Sequence, residues 1–277
     1  FANAYPAKLF TLISNAGDME VLPRVSANFG VLPLYASQWV LPELFKPRPF
    51  AGRDVDLIMV ANFAKVKRHH VLFAALRNMP ARTRVLLVGQ DQDGRDGETI
   101  RREAAHYGVA DRLTIVSNAK YAQVTEALCR ARASLILSRR EGSCVVVAES
   151  LFANTPTALL QGAEIGSRAF VNPQTGVFLD ERQLGRQLND LIQCAESFAP
   201  RQWAEANISC HHSSHKLNEV LREHALATGQ HWTQDIAPLC WRPDPRLVHD
   251  GDVTRLQAER LEMKAKFGLE VGPTPGS

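Results

Sequence analysis

Two glutamates, Glu141 and Glu149, stand eight residues apart in the stretch Ser138 to Phe152, where a β-type run gives way to a helical one at Gly142, Ser143 and Cys144. Gly142 allows close backbone approach to a ligand, and Ser143 reads as the helix N-cap. Glu149 falls one to two turns into that helix, among Val145, Val146, Leu151 and Phe152, so its carboxylate has little solvent to face and needs partners. An ionised carboxylate accepts at two oxygens and suits two adjacent hydroxyls of a ribose or hexose. A structural ion pair with a neighbouring arginine is the simpler reading of Glu149 taken alone.

A second constellation is cationic. Asn62, Phe63, Ala64, Lys65, Val66, Lys67, Arg68, His69 and His70 follow another β-type run and lead into a helix. Cations near the positive end of a helix dipole are unfavourable unless an anion lies between them and the backbone amides. An anion site and a solvated basic turn are equally compatible with this feature.

The elements that must position these residues alternate. Strands are predicted at 56–61, 84–89, 112–116, 133–137 and 157–160, with helices at about 67–79, 98–107, 121–132 and 144–153. Strands apolar throughout, separated by helices, indicate a doubly wound α/β domain with a parallel sheet covered on both faces. In such sheets ligands sit beyond the carboxyl ends of the strands, where both constellations fall. Residues 1–55 show little periodicity, and the proline-rich stretch 41–49 reads as an extended connector. Beyond Glu181 the chain reads as helical, at 183–196, 201–207, 213–227 and a charged helix at 253–267, with a frayed tail from Gly268 to Ser277.

Several classes are set aside. The net charge of +3, from 32 basic and 29 acidic residues, is too small for a nucleic-acid coat. No apolar run approaches the ~20 residues of a membrane span, and no signal peptide is recognised. Five scattered cysteines without Cys-x-x-Cys spacing fit reduced thiols in a cytoplasmic protein. Neither Gly-x-Gly-x-x-Gly nor a P-loop occurs at a strand–helix junction. The loop from Asp91 to Gly97 lacks the glycine and bidentate glutamate of a calcium loop, and Cys210, His211, His212 and His215 form one cluster without a second. Cys144 stands at a helix start without a partner base.

Glu141 and Glu149, in a Glu-x7-Glu arrangement after a strand with Gly142 following the first, resemble the retaining GT-B glycosyltransferases, the group 1 or family 4-like kind. Three further stretches are similar to that family: Val60 to Leu72 with Lys67, Phe45-Lys46-Pro47, and Val171 to Gly176, so the resemblance covers roughly 40–195. It implies a GT-B donor-binding domain, Rossmann-like, over 55–200. Residues 1–54 are then a remnant of an acceptor domain with its linker, since the chain opens on Phe1, and 201–277 a helical extension. It implies transfer of a hexosyl class sugar with retention, and a fragment that turns over poorly alone. Lys67 matches the phosphate-binding lysine, Glu141 the acid on the donor sugar, and Glu149 the acid on the ribose. The amides of Gly142, Ser143 and Cys144 match the helix start facing the donor. The family arginine falls on Asn62, a weaker phosphate partner, with Lys65 or Arg68 available to compensate; only one glycine, Gly162, remains where the family has several. The implied co-substrate is a UDP- or GDP-linked sugar with no metal or other cofactor, and the acceptor a carbohydrate or a lipid-linked one, with peripheral membrane contact. A sugar-nucleotide epimerase of the same fold and a non-catalytic nucleotide-binding module are the rival readings.

Overall fold

Six strands carry the core: β1 (Val55–Val60), β2 (Val85–Gly89), β3 (Leu113–Ser117), β4 (Ala131–Ile136), β5 (Thr157–Leu160) and β6 (Gly176–Leu179). In this computed structural model, which describes every residue except 1, 2, 4–6, 243 and 269–277, they form one parallel sheet in the order β6-β5-β4-β1-β2-β3. Helices α1 (His69–Leu76), α2 (Gly97–His106), α3 (Tyr121–Arg130), α4 (Val145–Phe152) and α5 (Leu184–Cys194) connect or follow them. Leu57, Ile58, Leu87 and Leu135 are all but fully buried, as strands packed on both faces require. Chain order runs outward from β1 through β2 to β3, then restarts at β4 on the other side of β1. The crevice between the carboxyl ends of β1 and β4 is therefore the topological switch point of the sheet.

Arg53 ties the back of this arrangement together. Its buried guanidinium donates to the carbonyls of Ala131 (2.6 Å) and Ala153 (3.4 Å), to Thr155 Oγ1 (3.1 Å) and to the carbonyl of Arg48 (3.2 Å). A cation at the ends of α3 and α4 meets the negative ends of both helix dipoles.

The fold corrects several expectations. The first 37 residues are not featureless: Leu9–Ile13 and Phe29–Tyr35 pair in parallel across the helix Asp18–Val25. β6 escaped notice because four residues with a mixed buried and exposed pattern show no period. Helix α1 begins two residues later than expected, at His69, after a 3-10 turn over Lys65–Lys67. Helix α3 ends at Arg130 because Ala131 already belongs to β4. The charged C-terminal helix is two, Asp250–Arg255 and Gln257–Phe267, broken at Leu256. The expected frayed tail lies, but for Gly268, outside the described residues.

The chain divides into two compact units: 1–37 with 43–206, and 38–42 with the chain from Asn207 onward. In the second, the long helix Cys210–Ala227 is capped by Ser209, whose Oγ accepts from the His212 amide at 3.0 Å. The segment 38–42 is held there by Trp241 N to Trp39 O (2.8 Å) and Cys210 N to Val40 O (3.0 Å). Among the described residues no helix is long and apolar enough to cross a membrane, and no group of three or more metal-ligating side chains converges. In the Asp91–Gly97 loop, Asp96 caps α2 by accepting from the Thr99 amide.

Candidate functional site

Lys67 and Glu141, 74 residues apart in sequence, meet in the crevice at the switch point, with Nζ 2.7 Å from Oε1. Lys67 closes the turn after β1 and Glu141 follows β4, so the pair exists because those strands are neighbours. Both side chains are mostly covered, at 19% and 16% exposure. Ser138 Oγ donates to the same carboxylate oxygen, which fixes Glu141 from its own loop. Glu141 also pairs as a short strand with Glu164–Ile165 in the next loop, and Gly166 N donates to Gly142 O at 2.7 Å.

Both helices that start here lack a side-chain cap. Arg68 stands at the N-cap of α1 and Cys144 at that of α4, and neither makes a capping hydrogen bond. Ser143 is thus not the N-cap the sequence suggests: its Oγ instead accepts from the Ser37 amide at 2.8 Å, 106 residues away. A helix start without a side-chain cap has backbone amides chemically suited to an anion, and Lys67 immediately precedes one of the two. The Cβ of any residue replacing Gly142 would find only Ser14 Cβ, at 3.9 Å, so the ground above the α4 start is open.

Glu149 is 3% exposed inside α4, whose residues from Val147 to Phe152 are all buried. Cys144 is buried as well, and burial, reinforced by Glu141 beside it, pushes its thiol well above the ordinary range. It is a packing residue rather than a thiolate nucleophile. Asn62 lies in the turn after β1, where its Oδ1 accepts from the Ala64 amide at 3.3 Å.

Of the residues around the pair, sequence reading named Arg68 as a spare cation but missed its partner, and it missed Arg95 and His69. Arg68 adopts the left-handed backbone conformation (φ 59°), which costs a non-glycine residue about 1 kcal/mol. Its guanidinium grips Glu181 with both branches, at 2.6 and 3.1 Å, and reaches Leu137 O at 3.4 Å. Arg95 enters from the loop after β2, donating to Phe63 O at 2.7 Å and to Glu103 at 2.7 Å. His69 is 2% exposed against the edge of Phe63, and its Nδ1 has no hydrogen-bond partner among the described residues. Desolvation, with Arg95, His70 and Lys67 adding repulsion, lowers its pKa to about 4. No local pattern announces these contacts; a basic residue followed by two histidines was the only visible trace.

The sheet order, the switch-point crevice and the helical layers define a Rossmann-like α/β fold of the GT-B kind. Solved structures with this fold include sucrose-phosphate synthase from Thermosynechococcus elongatus (19% identity, TM-score 0.64, 79% of this chain and 59% of that one). Anabaena HepE in complex with UDP and glucose superposes with TM-score 0.63 at 14% identity, over 80% of this chain and 65% of that one. The pneumococcal O-GlcNAc transferase GtfA in complex with UDP and GlcNAc gives 0.58 at 17% identity, over 78% and 45%. The chain thus spans about half to two thirds of the length of these structures. No curated protein sequence matches it. The family model for glycosyl transferases group 1 matches residues 42–208, more than half of the chain, and the chain belongs to that family.

Proposed function

We propose that this chain binds a nucleoside diphosphate sugar in the switch-point crevice and passes the sugar, with retention at the anomeric carbon, to a carbohydrate or lipid-linked acceptor. The observation that carries this reading is the Lys67–Glu141 pair, set between two uncapped helix starts. A departing diphosphate gains negative charge in the transition state, and donors already aimed at that charge need no reorganisation. Lys67 and the amides following Gly142 are such donors. Glu141, released from Lys67 as the phosphates take over the ammonium, would accept from sugar hydroxyls. Glu149 would accept from the ribose. No nucleophilic side chain is assigned, in keeping with a loose displacement in which the leaving diphosphate stays on the face the acceptor enters.

Cationic and amide donors take the role a divalent ion plays elsewhere, so the reading includes no metal. UDP is the first nucleoside diphosphate to test, because the HepE and GtfA structures hold it. A cytoplasmic setting belongs to the same reading, supported by five cysteines that are all unpaired. The described residues before the linker include a parallel strand–helix–strand unit.

The test is calorimetric titration with UDP, GDP and ADP. One of them should bind, and Lys67→Ala should weaken it about ten- to a hundredfold, the worth of one charge-assisted contact. Silence with all three, or an unchanged dissociation constant for Lys67→Ala, would remove the assignment.

A further inference from the structure

Arg68 occupies a backbone conformation that glycine adopts freely and arginine does not, so something beyond local preference retains it there (φ 59°). It is the single joint between the 3-10 turn Lys65–Lys67 and α1: its amide donates to Lys65 O at 3.0 Å, and its carbonyl accepts from Val71 N at 2.9 Å. Its side chain crosses the carboxyl edge of the sheet, past Leu137 at the end of β4, to Glu181 just beyond β6. Glu181 also accepts from Arg139 at 3.1 Å, and the paired guanidinium groups draw its carboxyl below the ordinary range.

Two consecutive residues of the turn after β1 therefore grip consecutive parts of the loop after β4. Lys67 holds Glu141, itself bonded by Ser138, and Arg68 holds Leu137, the residue before Ser138. The first grip is the one a ligand must break, because phosphate and Glu141 compete for the same ammonium. The second is independent of ligand: Arg68 is 16% exposed and its charge is met by Glu181. With Arg68 anchored, Lys67 Nζ stays at the crevice when Glu141 releases it.

We infer that Arg68, latched to Glu181, is a positioning residue that keeps Lys67 at the phosphate site. This rests on the reading above that the crevice binds a nucleoside diphosphate. The arginine is thus not the spare phosphate ligand that the missing cation at Asn62 invites, but the clamp that makes one lysine sufficient.

Arg68→Gly separates the alternatives, since glycine keeps the turn at φ 59° without strain and Arg139 still partners Glu181. Calorimetric titration with the nucleoside diphosphate that wild type binds, alongside thermal melting, is the assay. The variant should melt no more than a few degrees from wild type while its affinity falls about tenfold. Glu181→Gln, which leaves residue 68 in place, should weaken binding in the same direction. In a Lys67→Ala background, Arg68→Gly should change affinity no further, because the clamp acts through that lysine. Unchanged affinity in Arg68→Gly would make residue 68 a turn residue only and overturn the inference. An additive loss in the double variant would also overturn it, by showing that the guanidinium touches the ligand. If wild type itself binds no diphosphate, the functional reading has failed, and the inference falls with it.

Discussion

His69 should make the stability of this domain fall in mild acid. The ring is 2% exposed, lies edge-on to Phe63 with centroids 5.9 Å apart, and offers an Nδ1 that nothing accepts from or donates to among the described residues. Desolvation opposes its charged form first, and Arg95, His70 and Lys67 repel it further, which lowers the pKa from 6.5 to about 4. In the unfolded chain the ring takes a proton near pH 6.5, whereas in the folded chain it stays neutral until about pH 4. Across that window the unfolded state binds the extra proton, so the free energy of unfolding drops as pH falls, by about 1.4 kcal/mol per unit. The full loss is about 3 kcal/mol, complete near pH 4, against a typical domain stability of ~5–15 kcal/mol. Urea unfolding of wild type and His69→Phe, followed by circular dichroism from pH 7.5 to 4.5, measures it. Phenylalanine keeps a flat ring on Phe63 and removes the titration. The difference between the two proteins should therefore move steadily in favour of the variant below pH 6.5. Asp54, held by Arg130 at a pKa of about 2, titrates outside this window and in both proteins alike. Parallel pH profiles would refute the argument, because they would mean the ring finds a partner or solvent when protonated.

The two glutamates, Glu141 at the crevice and Glu149 buried in α4, should fail differently. Glu149→Gln should weaken free diphosphate and sugar nucleotide alike, since both carry the ribose, by ~1.5–3 kcal/mol per lost charged acceptor. Glu141→Gln should spare the free diphosphate and impair only the sugar-bearing ligand, and equal losses on both in calorimetry would refute its sugar-facing role. At the other end of the sheet, Arg53→Met should cost about 3 kcal/mol in urea unfolding, because it leaves the buried carbonyls of Ala131 and Ala153 only the one Thr155 hydroxyl that they share with Leu128 O, while the crevice is untouched. A loss within 0.5 kcal/mol would show that those carbonyls find other donors.

The sequence by itself determined what local pattern carries. Apolar runs separated by helical stretches are a property of neighbouring residues, so five of the six sheet strands and four connecting helices were legible. A carboxylate placed among valines, leucine and phenylalanine on one short helix announced the burial of Glu149. The Glu141 to Glu149 spacing carried the family, whose model spans 42–208. What depends on strand order was not legible. Lys67 touches Glu141 because β1 and β4 are adjacent, and that adjacency is a property of the closed sheet. Arg68 finds Glu181 across 113 residues, and Ser143 leaves its expected capping role for the Ser37 amide across 106. Side-chain partners are chosen by which polar groups the packed layers leave facing one another, and burial makes those choices obligatory. Spacing along the chain names residues with the right chemistry; only the tertiary structure decides which of them meet.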